Sequence, residues 1–376
     1  MNELARVIVA SVTHKVLLLT FFLTPTTTLW DTSSTLLIDS NPSIVESLKA
    51  RLLTWDSVYY TSTALRGVEF EHEYAFSKYW SLFIRACSPR ASIIDLAVTA
   101  AVISLIAHTT ALATLYIIAK RWNIANPDLC VLTYALSPAG IFLVNGYPES
   151  LFALLSFLGV YCFYTDTATG FVVSGLCFGL ATIFRSNGLL WGILFAVHVI
   201  FESINLLRGL RIAKRLKKLA ALFVGGSITG SGFVYTQWNA YTQLCPGHDF
   251  CDNRIPSVYL FIQTKYWSNG FLQYWTPNNI PNFILAIPSL ILLCLSANFL
   301  IRRRKYALAC VHIVMFIGAL FFWNVQIITR ISSCLPGMYL YLVYIYPKTS
   351  GNVCIVYSAI RSVLQSALYG ALMPPP

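Results

Sequence analysis

The chain has 376 residues, 57% of them hydrophobic and only 11% charged, where soluble domains are ~25% charged. That excludes a water-soluble enzyme, a nucleic-acid reader, a secreted disulfide scaffold and a disordered tail, and leaves an all-α polytopic membrane protein with room for about 9–11 spans of ~20 residues. The net charge of +11 sits in short Lys/Arg clusters between apolar runs, the pattern of cytoplasmic loops rather than of a DNA-binding face.

In chain order, an apolar run at 7–29 follows Arg6 without a small-residue cleavage site, which predicts an uncleaved first span. A polar stretch, 30–92, comes next. Apolar runs lie near 93–119, 128–145, 148–165, 168–184, 187–205 and 219–237, then a second polar stretch at 238–281, then runs near 282–301, 306–325, 335–346 and 353–372. Lys120-Arg121 and the basic clusters in 208–218 and 302–305 set the orientation. If all three are cytoplasmic, even numbers of runs must separate them, and they do. Segments 30–92, 145–149, 184–187, 238–281 and 324–334 then share the opposite face. The whole chain, 1–376, reads as a single transmembrane domain with two large loops, 30–92 and 238–281, on that face.

Most of the ten cysteines lie in or near apolar runs, where they act as small hydrophobes. Only Cys245 and Cys251 share a polar loop, where an oxidising lumen would allow a bridge. Gly225 to Gly232, with Gly226 and Gly230 four apart, predicts helix packing rather than a nucleotide loop. No metal-ligand spacing, Walker pattern or N-x-S/T acceptor occurs, and His108, His198 and His312 inside spans read as packing residues.

Four constellations carry candidate chemistry. W-D-S-V-Y-Y at 55–60 and H-E-Y-A-F-S at 72–77 bring Trp55, Asp56, His72 and Glu73 within about twenty residues, with Glu69 and Glu71 between. They fit an interfacial amphipathic segment or a carbohydrate site, where a carboxylate accepts a hydroxyl proton and rings cover sugar faces. At 136–153, Asn145 and Glu149 interrupt an apolar region. Glu149 either offsets a helix N-terminus behind Pro148 or lines a polar cavity. F-R-S-N-G at 184–188 holds Arg185 and Asn187, and N-V-Q-I-I-T-R at 324–330 holds Gln326 and Arg330. Each arginine either snorkels or pairs with phosphate oxygens. Residues 263–288 are dense in rings and amides, including Gln263, Tyr266 and Trp267. An aromatic belt explains the rings there but not the amides.

In order, these blocks resemble the PIG-V family, the mannosyltransferases that add the second mannose of the glycosylphosphatidylinositol (GPI) anchor. The likeness runs from residue 55 to about 340, through S-P-A-G-I-F, Y-P-E-S-L-F-A, F-R-S-N-G, Q-x-x-Y-W-x-x-G-F-L-x-Y-W and Q-I-I-T-R. Leu136-Ser137 stands where the family has an aromatic-Asn pair, and Pro148 where it has Thr or Ser. The resemblance implies a GT-C-type glycosyltransferase of the endoplasmic reticulum membrane with luminal catalytic loops. Its donor would be dolichyl-phosphate-mannose and its acceptor the first mannose of a GPI glycolipid, joined α-1,6 with inversion. No cofactor is implied; membrane lipids and, in some organisms, an accessory membrane subunit are partners.

On that basis Asp56 is the expected catalytic base, with Glu73 and His72 as second candidates. Arg185 and Arg330 are expected on the donor phosphate. Trp55, Glu149, Asn187, Gln263, Tyr266, Trp267 and Gln326 are expected to bind glycan. Two other classes compete: a transporter or flippase of a lipid-linked saccharide, and a non-catalytic subunit of a glycosylation complex.

Overall fold

The computed structural model describes residues 3–23, 43–209, 212–346 and 348–371. The end of the first apolar run and the start of the first predicted loop, 24–42, lie outside the described residues, as do positions 210–211 of the second basic cluster. The helices are α1 (Glu3–Leu23), α2 (Ile44–Ala50), α3 (Asp56–Arg66), α4 (Lys78–Cys87), α5 (Ile93–Arg121), α6 (Pro127–Ala135), α7 (Glu149–Phe163) and α8 (Ala168–Phe184). They continue with α9 (Gly192–Leu207), α10 (Ile212–Leu244), α11 (Val258–Trp267), α12 (Ile280–Arg302), α13 (Tyr306–Phe321), α14 (Ile328–Ile331), α15 (Pro336–Ile345) and α16 (Thr349–Gly370). Among the described residues, five helical stretches are long and apolar enough to cross a membrane, and five more are apolar over 10–17 residues. The chain is thus an all-helical, multi-pass membrane protein.

It falls into two compact units. The first takes residues 1–154, 329–333 and 342–376; the second takes 155–328 and 334–341.

In the first unit, local chemistry sets the ends of α5. The Ser92 hydroxyl accepts from the Asp95 amide at 3.1 Å, which caps the start, and Lys120 and Arg121 in the last turn suit the helix dipole. The next predicted run, 128–145, is a broken span. Asn126 caps α6 at 2.9 Å, but the helix stops at Ala135, ahead of Ser137-Pro138, because Pro138 cannot donate to a continuing ladder. A 3-10 turn, Gly140–Leu143, carries the chain on. It arrives beside the first half of α5, where Ser104 donates to the Tyr147 carbonyl at 2.9 Å. Gly146, at φ +73°, lies so close to α5 that a Cβ there would meet that of Ala100 at 3.1 Å. The broken run therefore brings the chain back to the end of α5 opposite Lys120-Arg121. Irregular backbone at membrane depth survives only inside protein, and residues 139–150 are buried throughout.

In the second unit, α8 and α10 pack backbone against backbone. A Cβ at Gly175 would lie 2.5 Å from the Gly225 carbonyl oxygen, and one at Gly232 the same distance from that of Gly179. The expected helix packing is present, but through Gly225 and Gly232. Gly226 instead faces Phe195, and Gly230 faces open space, so the four-residue pair is not the contact.

The second unit has two chemically distinct ends. At one, Lys218 bridges Asp166 at 2.6 Å and Glu202 at 2.9 Å, Arg215 also pairs with Glu202, and Lys305 lies 4.2 Å over the Tyr164 ring. From there α8 runs to Arg185 and α10 runs to the polar segment 238–279. The two basic clusters of this unit thus share an end, and the amide-rich segments share the other. Cys245 and Cys251 are bonded, with Cα atoms 5.8 Å apart.

Candidate active site

The first unit builds its site on a turn. Thr54-Trp55-Asp56-Ser57 closes with the Ser57 amide donating to the Thr54 carbonyl at 3.1 Å. Trp55 sits at φ 53°, ψ −128°, the first central position of a type II′ turn, where glycine is the usual occupant. A side chain there costs on the order of 1–3 kcal/mol and persists only when its surroundings hold it. Several contacts do. Ser57 Oγ accepts from the Thr54 amide at 2.9 Å and donates to the Leu52 carbonyl. The Thr54 carbonyl also lies 3.3 Å from the Tyr147 hydroxyl and 3.4 Å from that of Tyr369, and these two hydroxyls hydrogen-bond each other.

The turn delivers Asp56 as the first residue of α3, where the helix dipole favours a negative charge. Its Oδ2 accepts from Arg330 Nη1 at 3.0 Å. Arg330 turns its remaining nitrogens to Glu149, with Nε at 2.9 Å and Nη2 at 2.8 Å from the same Oε1. The guanidinium also lies 4.3 Å over the Phe142 ring and 5.1 Å over that of Tyr147, a cation–π setting.

Exposure separates the two acids. The Asp56 side chain is 30% exposed and that of Glu149 only 1%. Glu149 begins α7, so a helix N-terminus and an arginine both stabilise its buried charge. Burial alone would ease a proton off Arg330, but Glu149 and then Asp56 outweigh it, and the guanidinium holds its proton above the ordinary arginine range. Two carboxylates on one cation leave one net negative charge. Asp56 Oδ1, the oxygen Arg330 does not take, lies on the side chain that solvent reaches. Trp55 Nε1 is buried with no hydrogen-bond partner among the described residues.

Glu73 and His72 have different surroundings. Glu73 is 1% exposed, and Arg66 grips both its oxygens at 2.6 and 3.2 Å. The Glu69 and Phe70 amides donate to it at 2.9 and 3.2 Å. Burial pushes this carboxyl up, but the Arg66 hydrogen bond and the two amides overcome that and leave it below the ordinary glutamate range. It is the internal ligand of the 67–76 loop. His72 packs edge-on to Tyr59 at 5.4 Å and stacks on Phe70 at 5.8 Å.

The second unit holds the other candidates. Arg185 ends α8 in extended conformation, and its Nε donates to Asn187 Oδ1 at 3.3 Å. Tyr259 bonds the neighbouring Ser186 side chain and takes Gln237 Oε1 on its amide at 2.8 Å. Asn269 ties two further segments together. Its side-chain amide donates to Gln263 Oε1, and its Oδ1 accepts from the Asn324 amide at 2.9 Å. Gln326 lies in the 3-10 turn Val325–Ile327 that follows, and Tyr266 and Trp267 close α11. Each unit therefore carries its own polar group: Asp56, Glu149 and Arg330 in the first, and Arg185, Asn187, Gln263 and Asn269 in the second.

Sequence reasoning missed the residues that hold the turn. Tyr147 stands in the quoted Y-P-E block, and its place beside a break in an apolar run was an available signal. Nothing in the sequence marked Tyr369, which arrives from a long apolar helix. Arg66 was equally unmarked, while Asn269 lies in the amide-dense block 263–288 but was not singled out there.

An all-helical membrane protein with a partly exposed acid held by an arginine paired to a buried carboxylate is the class that fold and site define. A family model described as "Mannosyltransferase (PIG-V)" matches residues 2–310. The chain is 38% identical over 349 residues to GPI mannosyltransferase 2 of Yarrowia lipolytica, covering 92% of each. It is 30% identical to that of Candida albicans, covering 92% of this chain and 93% of the relative. To that of Schizosaccharomyces pombe it is 32% identical, covering 90% of this chain and 76% of the relative. A solved Archaeoglobus fulgidus oligosaccharyltransferase superposes with a TM-score of 0.47 at 14% identity, over 96% of this chain and 53% of that one. This chain belongs to the PIG-V mannosyltransferase family. It is a glycosyltransferase, and Arg330 and Tyr369 lie beyond the matched residues.

Proposed function

We propose that this protein transfers mannose from dolichyl-phosphate-mannose to the first mannose of a GPI precursor, forming an α-1,6 linkage with inversion, as a GT-C-type enzyme. The relatives' name, GPI mannosyltransferase 2, supports the acceptor class. A lipid-linked donor suits a protein made of membrane-spanning helices. In this reading the basic helix ends are cytoplasmic, following the positive-inside pattern, and the catalytic loops are luminal in the endoplasmic reticulum. An accessory membrane subunit remains part of this reading.

The observation that carries the chemistry is the partly exposed carboxylate held on a largely buried arginine. In an inverting transfer the acceptor hydroxyl oxygen bonds to the donor's C1 as the C1–O bond to phosphate breaks. Asp56 Oδ1 takes the hydroxyl proton, and dolichyl phosphate leaves with the bonding electrons. Arg330 holds Asp56 in place, at 3.0 Å from its Oδ2. With its three nitrogens on two acids, it serves the base and not the phosphate, and Glu149 serves Arg330 and not the glycan. Arg185 is retained as the phosphate ligand, because its fork matches phosphate oxygens. Trp55, with its buried indole N–H, and Asn187, Gln263, Tyr266, Trp267 and Gln326 are retained as glycan contacts. Glu73, gripped by Arg66, is a loop ligand rather than a second base.

Membership of a mannosyltransferase family favours this reading over a transporter or a non-catalytic subunit. The test is complementation of cells that lack the second GPI mannosyltransferase. The wild-type chain should restore GPI-anchored proteins. The Asp56→Asn chain should leave the singly mannosylated glycolipid to accumulate. Full rescue by Asp56→Asn would remove Asp56 from the mechanism.

A further inference from the structure

Asp56 depends on a turn that its own sequence does not favour. The residue before it, Trp55, is held at φ 53°. The carbonyl of that turn, on Thr54, faces the Ser57 amide, the Tyr147 hydroxyl and the Tyr369 hydroxyl. The tyrosines reach it from two distant parts of the chain, 93 and 315 positions beyond Thr54. Tyr147 precedes α7, whereas Tyr369 is the penultimate residue of α16.

The surroundings fix Tyr369 closely. It is 0% exposed. Its ring packs 5.2 Å from Phe142, 5.9 Å from Phe22 and 6.4 Å from Trp55. The next residue, Gly370, lies so near α1 that a Cβ would fall 2.4 Å from the Phe22 carbonyl oxygen. The hydroxyl thus has little freedom except to serve Tyr147 and Thr54. Whichever tyrosine donates to the other, the pair ends on the Thr54 carbonyl.

We infer that Tyr369 is a positioning residue for the catalytic base. Together with Tyr147 it pins the strained Thr54–Trp55 peptide, so that Asp56 meets the acceptor hydroxyl at the right angle. The C-terminal helix α16 is then part of the catalytic apparatus and not a peripheral anchor. This rests on the reading of Asp56 as the base.

The test uses full-length protein in detergent, with dolichyl-phosphate-mannose and a singly mannosylated acceptor. Tyr369→Phe keeps the ring and removes the hydroxyl. A small misplacement of a catalytic group costs up to about 100-fold, so kcat should fall by about 10- to 100-fold with KM for either substrate unchanged. The decisive comparison places Tyr369→Phe in a Trp55→Gly background. Glycine adopts the turn without strain, so the hydroxyl should then matter less than about twofold, however far Trp55→Gly itself lowers activity. An equal loss in both backgrounds, or full kcat in Tyr369→Phe, overturns the inference. Asp56→Asn, measured alongside, separates the two failures. If it is inactive while Tyr369→Phe is not, only the positioning role falls; if it is fully active, the base assignment falls first.

Discussion

Arg330 joins Asp56 at 3.0 Å across 274 residues of sequence, while two other nitrogens of the same guanidinium hold Glu149. The acid that solvent reaches is therefore oriented by one that solvent does not. This asymmetry predicts different work for the two carboxylates, which can be tested one residue at a time.

Asp56→Asn keeps the shape of the side chain and its contact distance to Arg330, but it cannot take a proton. General-base assistance is worth ~10²–10⁴-fold, so kcat should drop by about that factor with normal protein levels. Asp56→Glu, one methylene longer, should retain part of the activity. Steady-state kinetics on purified variants decide this, and a kcat for Asp56→Asn within about threefold of wild type rejects it.

Removing Arg330 strands a buried carboxylate. Breaking such a pair costs about 3–5 kcal/mol, whereas replacing both partners with apolar groups is often neutral. Arg330→Met should therefore lower the thermal unfolding temperature markedly. Arg330→Met with Glu149→Leu should recover most of that loss while activity stays low, because Asp56 is still without its guide. Recovery of activity along with stability would make the arginine a purely structural element.

Glu73 predicts an acid limit for the 67–76 loop. Its carboxyl is lowered from 4.5 by Arg66 and two amides, against the opposing effect of burial. A group whose folded pKa is depressed contributes stability above its unfolded pKa and loses it as pH falls through the folded value. The loop should thus be fully held above about pH 4.5 and loosen on further acidification. Glu73→Gln should expose the loop to protease already at pH 7, with little further change toward acid. A steep acid dependence surviving in that variant would assign the effect to another group.

Much of this was legible in the sequence, for identifiable reasons. Apolar runs of membrane length fix where helices lie, so α5, α8 and α12 fall almost where the hydropathy puts them. Glu149 and Arg330 were each visible because a charge in apolar surroundings is costly and needs a purpose, and Asp56 because the W-D-S-V-Y-Y block carries the family resemblance. Their pairing was not visible, since it depends on how α3, α7 and α14 approach in space, and no local pattern encodes that. The broken run at 128–145 shows the same limit. Pro138 announces a helix end, but only tertiary burial explains why the chain continues inward through a 3-10 turn. Tyr369 is the extreme case, because a tyrosine in an apolar helix resembles any interfacial aromatic until its hydroxyl is seen on the Thr54 carbonyl.

Arg185 provides the test of the donor side. Its Nε contacts Asn187 Oδ1 at 3.3 Å, and the guanidinium offers a planar fork that lysine lacks. Arg185→Lys keeps the charge and removes that geometry. A hydrogen bond to a charged group contributes about 1.5–3 kcal/mol, so affinity for dolichyl-phosphate-mannose should weaken by about 10- to 100-fold, with acceptor affinity unchanged. Free dolichyl phosphate, which presents the same phosphate without the sugar, should inhibit wild type and lose its potency against Arg185→Lys to the same extent. If donor affinity and dolichyl phosphate inhibition both stay at wild-type values while thermal stability falls, Arg185 only anchors the end of α8, and the phosphate must be held by other residues.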